Sequence, residues 1–104
     1  MAFVFVAKAT DLAPGQIREI RLEETTIALA NVGGQFHAIS NTCLHRGGPL
    51  GQGSLQGNVV TCPWHGWSFD VTSGKVSPNQ TSGVACYSVE LRGENLYVDI
   101  TVPG

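Results

Sequence analysis

Apolar and polar residues alternate with a period of two along most of this chain. Leu96, Val98 and Ile100 interleave with Tyr97, Asp99 and Thr101, and Tyr87, Val89 and Leu91 interleave with Ser88, Glu90 and Arg92. Gly93-Glu94-Asn95 separates the two runs, so the pattern predicts a hairpin. Ile27 and Leu29 lead through Asn31-Val32-Gly33-Gly34 into Phe36-His37-Ala38-Ile39, a second predicted hairpin. Phe3 to Val6 reads as an opening strand. Trp67, Phe69 and Val71 alternate with Ser68, Asp70 and Thr72 before a turn at Ser73-Gly74. The stretch from Gln16 to Leu22 is the weakest predicted strand, because Arg18, Glu19 and Arg21 interrupt its alternation. No window shows sustained helical spacing beside helix caps. The pattern predicts an all-β fold, a small antiparallel sandwich or barrel. The exception is Asn41 to Gly57, which carries Gly47, Gly48, Pro49, Gly51, Gly53 and Gly57 and has no clear period. A loop that long in a compact domain is usually functional.

Length and charge narrow the function. With 104 residues the chain has room for one domain, 1–104, and little room to enclose a substrate in a cleft of its own. Charged residues are only 13% and hydrophobic ones 42%, which excludes a disordered chain. The net charge is −2 and the only lysines are Lys8 and Lys75, so no basic stripe is available for nucleic acid. No apolar run approaches the roughly 20 residues of a membrane helix. The start, Met-Ala-Phe-Val-Phe-Val-Ala-Lys, lacks the basic region and cleavage site of a signal peptide. A small carrier or binding module fits these bounds better than an enzyme.

Four of the few cysteines and histidines cluster, as Cys43-Leu44-His45 and Cys62-Pro63-Trp64-His65, with the Gly-rich segment between them. Three chemistries compete for this pattern. The residues could be buried cysteines and packed histidines. They could form a structural zinc site, although such sites more often begin C-x-x-C and end H-x₃₋₅-H. They could hold a 2Fe–2S cluster with two thiolates on one iron and two imidazoles on the other. Two ferric irons, two sulfides and two thiolates sum to zero charge, and reduction gives −1. An all-thiolate cluster is two units more negative, so exchanging two Cys for two His raises the potential.

Cys43-Leu44-His45-Arg46-Gly47-Gly48 and Cys62-Pro63-Trp64-His65-Gly66-Trp67-Ser68-Phe69-Asp70 resemble the two cluster loops of Rieske-type iron–sulfur proteins, C-x-H-R-G and C-P-x-H-G-x-x-F-D. The resemblance implies a small antiparallel β-sandwich or barrel with an inserted two-loop cluster-binding subdomain, here about residues 41–80. It implies one 2Fe–2S cluster with Cys43, His45, Cys62 and His65 as ligands. Arg46, Gly48, Leu50, Trp64, Gly66, Trp67 and Pro78 would surround it: glycines letting backbone N–H groups approach sulfur, Leu50 limiting water, and Pro78 in a loop covering the cluster. Trp64 and Trp67 would be core or interface anchors. Arg46 would form a surface ion pair, or help dock an acidic partner or stabilise the reduced cluster.

Respiratory, high-potential members add a cysteine to each loop and join them by a disulfide. Here Arg46-Gly47-Gly48 and Trp64 fill those places. Such members also set a Ser and a Tyr hydroxyl against the sulfurs, where this chain has Trp67 and Phe69. Fewer hydrogen bonds to sulfur lower the potential. The chain thus resembles the ferredoxins of bacterial aromatic-ring oxygenases. The resemblance implies a non-catalytic, monomeric electron carrier of aromatic hydrocarbon catabolism. It would run from a flavoprotein NAD(P)H reductase to a terminal Rieske non-heme iron oxygenase, without nucleic acid or membrane partners. The alternatives are the small Rieske-like subunit of an assimilatory nitrite reductase or other oxidoreductase complex, and the Rieske domain of an oxygenase α subunit. The remaining thiol, Cys86, shares a face with Ser88 and Glu90 and reads as incidental; it fits a reducing, cytoplasmic setting. His37 reads as an ordinary strand histidine. Since each ligand imidazole has a second N–H to satisfy, His45 and His65 are expected at an exposed edge.

Overall fold

A computed structural model describes residues 3–22, 25–43, 48–64, 66–77 and 82–103, the last three by their backbone alone. In chain order the strands are β1 (Phe3–Lys8), β2 (Ile17–Arg21), β3 (Thr26–Val32), β4 (Gln35–Ser40), β5 (Ser54–Gln56), β6 (Val59–Thr61), β7 (Ser68–Asp70), β8 (Cys86–Arg92) and β9 (Asn95–Pro103). The described residues include two single 3₁₀ turns, Ala9–Asp11 and Leu50–Gln52. One curled antiparallel sheet has the order β1-β9-β8-β4-β3-β2, and a second runs β5-β6-β7.

Strands β4 and β8 are neighbours, with Ala38 opposite Tyr87 and Ile39 opposite Cys86. The Ser40 amide continues that contact, donating to the Ala85 carbonyl at 2.8 Å. The chain therefore leaves the large sheet after β4 and returns to the same place at β8. Everything between is an insertion, and it carries both C-x-H and C-x-x-H.

Both predicted hairpins form, with tighter turns than the sequence suggests. Val32 pairs with Gln35, so it belongs to β3 and the turn is Gly33-Gly34 alone. Asn95 likewise pairs with Arg92 as the first residue of β9. Asn31 is 3% exposed and works as a turn residue from inside the strand. Its side-chain oxygen accepts from the Gly34 amide and its nitrogen donates to the Leu12 carbonyl, both at 2.8 Å.

The large sheet separates two cores, and β3 is buried on both faces. Ile27 and Leu29 pack with Ala7, Leu12, Ala38, Leu96 and Val98. Ala28 and Ala30 point the other way and, with Ile39, meet Leu50, Val60, Phe69, Val71, Cys43 and Cys62. Small side chains on that face let the inserted subdomain approach the sheet closely, and the tight packing of interiors leaves no gap for larger ones.

Three expectations need correction. Asn41 to Gly57 is not one loop: it contains the Leu50–Gln52 turn and β5, which pairs with β6 from Ser54 opposite Thr61 to Gln56 opposite Val59. Strands of three residues are too short to show a period. Leu91 alternates as expected but is 53% exposed, because the β8–β9 hairpin runs past the end of its pairing with β4. Cys86 reads as incidental from its neighbours in β8, yet it packs on the other side of the sheet from Tyr87, against the core that holds Cys43 and Cys62.

Candidate metal centre

Each C-x-H or C-x-x-H pair begins where a two-stranded ladder ends. In the first loop Thr42 bridges Pro49, and the Cys43 amide donates to the Gly48 carbonyl at 2.8 Å. In the second, Thr61 pairs with Ser68, and the Cys62 amide donates to the Trp67 carbonyl at 2.7 Å. Both cysteine amides thus reach the carbonyl five residues on, and the two loops close in the same way. Within the second loop the Gly66 amide donates to the Cys62 carbonyl at 3.1 Å.

The loops touch at Gly48. A Cβ built there would stand 2.6 Å from Cys62 Sγ and 3.1 Å from Trp64 Cγ. Only a residue without a side chain lets the first loop come this near the second thiol. Cys43 and Cys62 are each 2% exposed, at the edge of the core built on Ala28, Ala30, Leu50, Val60, Phe69 and Val71. No disulfide joins any of the three cysteines. Leu50 is fully buried in that core, which also holds both cysteines. Trp64 is 59% exposed and Trp67 is 36% exposed, so the second loop presents aromatic surface as well as a buried thiol. His45, His65, Arg46 and Pro78 lie outside the described residues, and with them the expected exposed histidine edge.

The insertion is pinned by polar side chains that the sequence reading left without a role. Glu19 of β2 accepts from Asn41 Nδ2 at 2.5 Å and from Gln52 Nε2 at 2.8 Å. Asp70 Oδ1 accepts from the Thr72 amide at 2.8 Å, the Thr72 hydroxyl at 2.6 Å and Asn58 Nδ2 at 3.2 Å, tying the turn after β7 to the β5–β6 turn. The charged residue that interrupts the β2 pattern was the available signal for the first network. The final Asp of C-P-x-H-G-x-x-F-D was the signal for the second.

The Gln52 and Asn41 donors hold the Glu19 carboxyl below its ordinary value of 4.5, with Arg21 adding to this and partial burial opposing it. Its contribution to stability is therefore complete above about pH 4.5 and is lost as pH falls through the lower folded value. Urea unfolding from pH 6 to pH 3 is expected to show a shallower acid decline for Glu19→Gln than for the unmodified protein. Parallel declines would remove Glu19 from the account.

Cys86 and His37 take no part in the loops. The Cys86 thiol lies 3.7 Å from the Thr72 carbonyl, under the turn after β7. Burial pushes its pKa up, and the Asp70 charge adds to this, so it stays a protonated, unreactive thiol. His37 is half-buried in β4 opposite Ala30.

Two buried thiols on adjoining loops, with a glycine where a side chain would strike one sulfur, suit a group bound through sulfur. They do not suit a hard cation that takes oxygen ligands. By ligand chemistry, zinc and an iron–sulfur cluster both fit this cradle, and comparison with known proteins separates them. The sequence model of the Rieske 2Fe–2S domain matches residues 2–88. The ferredoxin CarAc of Metapseudomonas resinovorans is 36% identical over 95 residues, which cover 89% of each chain. Apoptosis-inducing factor 3 of Homo sapiens is 36% identical over 95 residues, 89% of this chain but 16% of that longer protein. Among solved structures, a chain of the complex of reduced oxygenase and oxidized ferredoxin in carbazole 1,9a-dioxygenase superposes with a TM-score of 0.84 at 36% identity. That match covers 92% of this chain and 91% of the other. This chain therefore belongs to the Rieske 2Fe–2S family, and its cofactor is a 2Fe–2S cluster.

Proposed function

We propose that the protein is a one-electron carrier between a flavin-dependent NAD(P)H reductase and a terminal ring-hydroxylating oxygenase. Cys43, His45, Cys62 and His65 hold the cluster, within a site-bearing segment of about 41–80 in a single domain. When bound, the cluster accepts and releases one electron. The chain's own residues give it two buried thiolates in a core that excludes water, beside the exposed Trp64 and Trp67 rings of the second loop. The observation that carries this reading is the adjoining of the two loops at Gly48 and Cys62. It brings both cysteine-bearing segments to one place, beside the exposed Trp64 ring. The likeness to a ferredoxin solved together with its oxygenase supports the direction of transfer. The carrier acts as a monomer in the cytoplasm, a setting that suits the Cys86 thiol. No helix among the described residues is long and apolar enough to cross a membrane.

The test is reconstitution. Added NADH and a flavoprotein ferredoxin reductase are expected to bleach the visible absorbance of the oxidised protein. An oxygenase of the carbazole type with its substrate is expected to restore it, and product should form only when all three proteins are present. Reduction without reoxidation by any ring-hydroxylating oxygenase overturns the partner assignment. The match to apoptosis-inducing factor 3, of which this chain covers 16%, favours a second reading, a Rieske module that serves a larger protein. Reoxidation by a non-oxygenase acceptor alone would select it.

A further inference from the structure

Asn41 stands two residues before Cys43 and is 7% exposed. Every polar heavy atom it has is hydrogen-bonded inward. Its amide donates to the Thr26 carbonyl of β3 at 3.1 Å, and its carbonyl accepts from the Leu50 amide at 2.8 Å. Its side-chain oxygen accepts from the Gly51 amide at 2.6 Å, and its side-chain nitrogen donates to Glu19 Oε2 of β2 at 2.5 Å. One residue therefore receives two consecutive amides from the far side of the first loop, and ties that loop to two strands of the large sheet.

The joint is built without slack. A Cβ at Gly51 would stand 2.6 Å from the Glu19 backbone nitrogen and 2.8 Å from Asn41 Oδ1. The second carboxylate oxygen of Glu19 is held by Gln52, on the same 3₁₀ turn as Leu50 and Gly51. The bond from Cys43 to Gly48 closes the tip of the loop. It does not fix where the Thr42–Pro49 ladder sits relative to Cys62. The buried Leu50 and the β5–β6 pairing hold the far side of the turn, and the Asn41 contacts with β2, β3 and the turn hold the root that carries Cys43.

We propose that Asn41, anchored by Glu19, is a positioning residue for the electron-transfer centre, clasping the first loop shut so that the Cys43 thiolate is held in register with the second loop. The inference rests on Cys43 being a cluster ligand. Removing the clasp leaves the ligands in place and frees the root of the loop. The result is faster cluster loss and altered metal–sulfur geometry, beyond a general fall in stability.

Asn41→Ala is compared with Val98→Ala, which opens a cavity in the other core, where Val98 is fully buried. Under native conditions, chelator-driven bleaching is expected to be about tenfold faster for Asn41→Ala, the scale of one lost buried hydrogen bond. The g values of its reduced cluster are expected to shift or broaden. Val98→Ala is expected to lower the urea midpoint while leaving the g values and the bleaching rate as in the unmodified protein. If Asn41→Ala keeps the original g values and bleaches like Val98→Ala, the clasp is overturned. If Asn41→Ala does not fold, Glu19→Ala and Glu19→Gln decide. Faster bleaching by the alanine variant, reversed by glutamine (which keeps an acceptor for Asn41), supports the clasp, and an unaltered Glu19→Ala protein overturns it. Iron content of the unmodified protein separates the two failures: a chain that binds no cluster refutes the site itself, whereas normal iron with an indifferent Asn41→Ala refutes only the clasp.

Discussion

With Cys62 replaced by serine, the protein is expected to purify colourless, its iron falling from about two per chain to near none. The thiol is 2% exposed, in the core with Phe69 and Val60, so no other side chain or solvent ligand can take its place. A serine hydroxyl is a harder donor that iron–sulfur chemistry does not favour, and without a partner it costs about 1–3 kcal/mol in that core. Cys43→Ser and His65→Ala are expected to lose the colour as well. Gly48→Val is the more searching variant, because it leaves every proposed ligand in place. Its Cβ would stand 2.6 Å from Cys62 Sγ, so the loops must separate or the thiol must turn away. Iron below half of normal with an intact far-ultraviolet spectrum is expected. Gly57→Asn, at the β5–β6 turn where a Cβ meets nothing within 4 Å, should keep full iron. A colourless unmodified protein holding one zinc would defeat the cluster assignment. A normal spectrum in Gly48→Val would show that the close approach is not needed.

What could be read from the sequence depended on how many neighbours each residue serves. The β8–β9 hairpin was legible because Val89, Leu96 and Val98 face a single core while Ser88 and Glu90 face water. Strand β3 was only half legible. Ile27 and Leu29 announce one core, but Ala28 and Ala30 are as buried as they are, and alanine carries no signal of a second layer. The same second layer hid β5 and β6, whose three residues each hold their place by pairing and by the packing of Leu55 and Val60 in the core that includes those alanines. Glu19 made β2 look doubtful for the reason that makes it useful. Its charge breaks the alternation because its partners, Asn41 and Gln52, lie in the insertion rather than in its own sheet. The two cysteine-bearing loops were legible as a motif, since each closes locally, Cys43 onto Gly48 and Cys62 onto Trp67. Their meeting at Gly48 was not, since the sequence does not say which glycine has a sulfur beside it.

Phe69→Tyr, alone and with Trp67→Ser, is expected to raise the midpoint potential. The starting value should lie near the low end of the Rieske range, roughly −150 mV, because no hydroxyl occupies either position. Phe69 is fully buried in the core that also holds both cysteines, so an added phenol cannot turn to water. It must find an acceptor inside that core, where sulfur is the one a rise in potential would report, or leave its O–H unsatisfied. A hydrogen bond to a charged acceptor contributes about 1.5–3 kcal/mol, and for one electron 59 mV corresponds to about 1.4 kcal/mol. Each new bond to the reduced cluster is therefore worth at most about 65–130 mV, less whatever the oxidised cluster gains from the same bond. Trp67 differs: its ring is 36% exposed, so a serine there also opens a path for water. Added water stabilises the more negative, reduced state and moves the potential in the same direction, so the single Phe69→Tyr variant isolates the hydroxyl. Redox titration of the folded, fully loaded variants is the measurement. A Phe69→Tyr midpoint within about 20 mV of the unmodified protein, well under the shift one such bond provides, would remove the hydroxyl from the explanation. An unmodified midpoint well above zero would show that the missing hydroxyls at Trp67 and Phe69 and the missing disulfide do not set the potential.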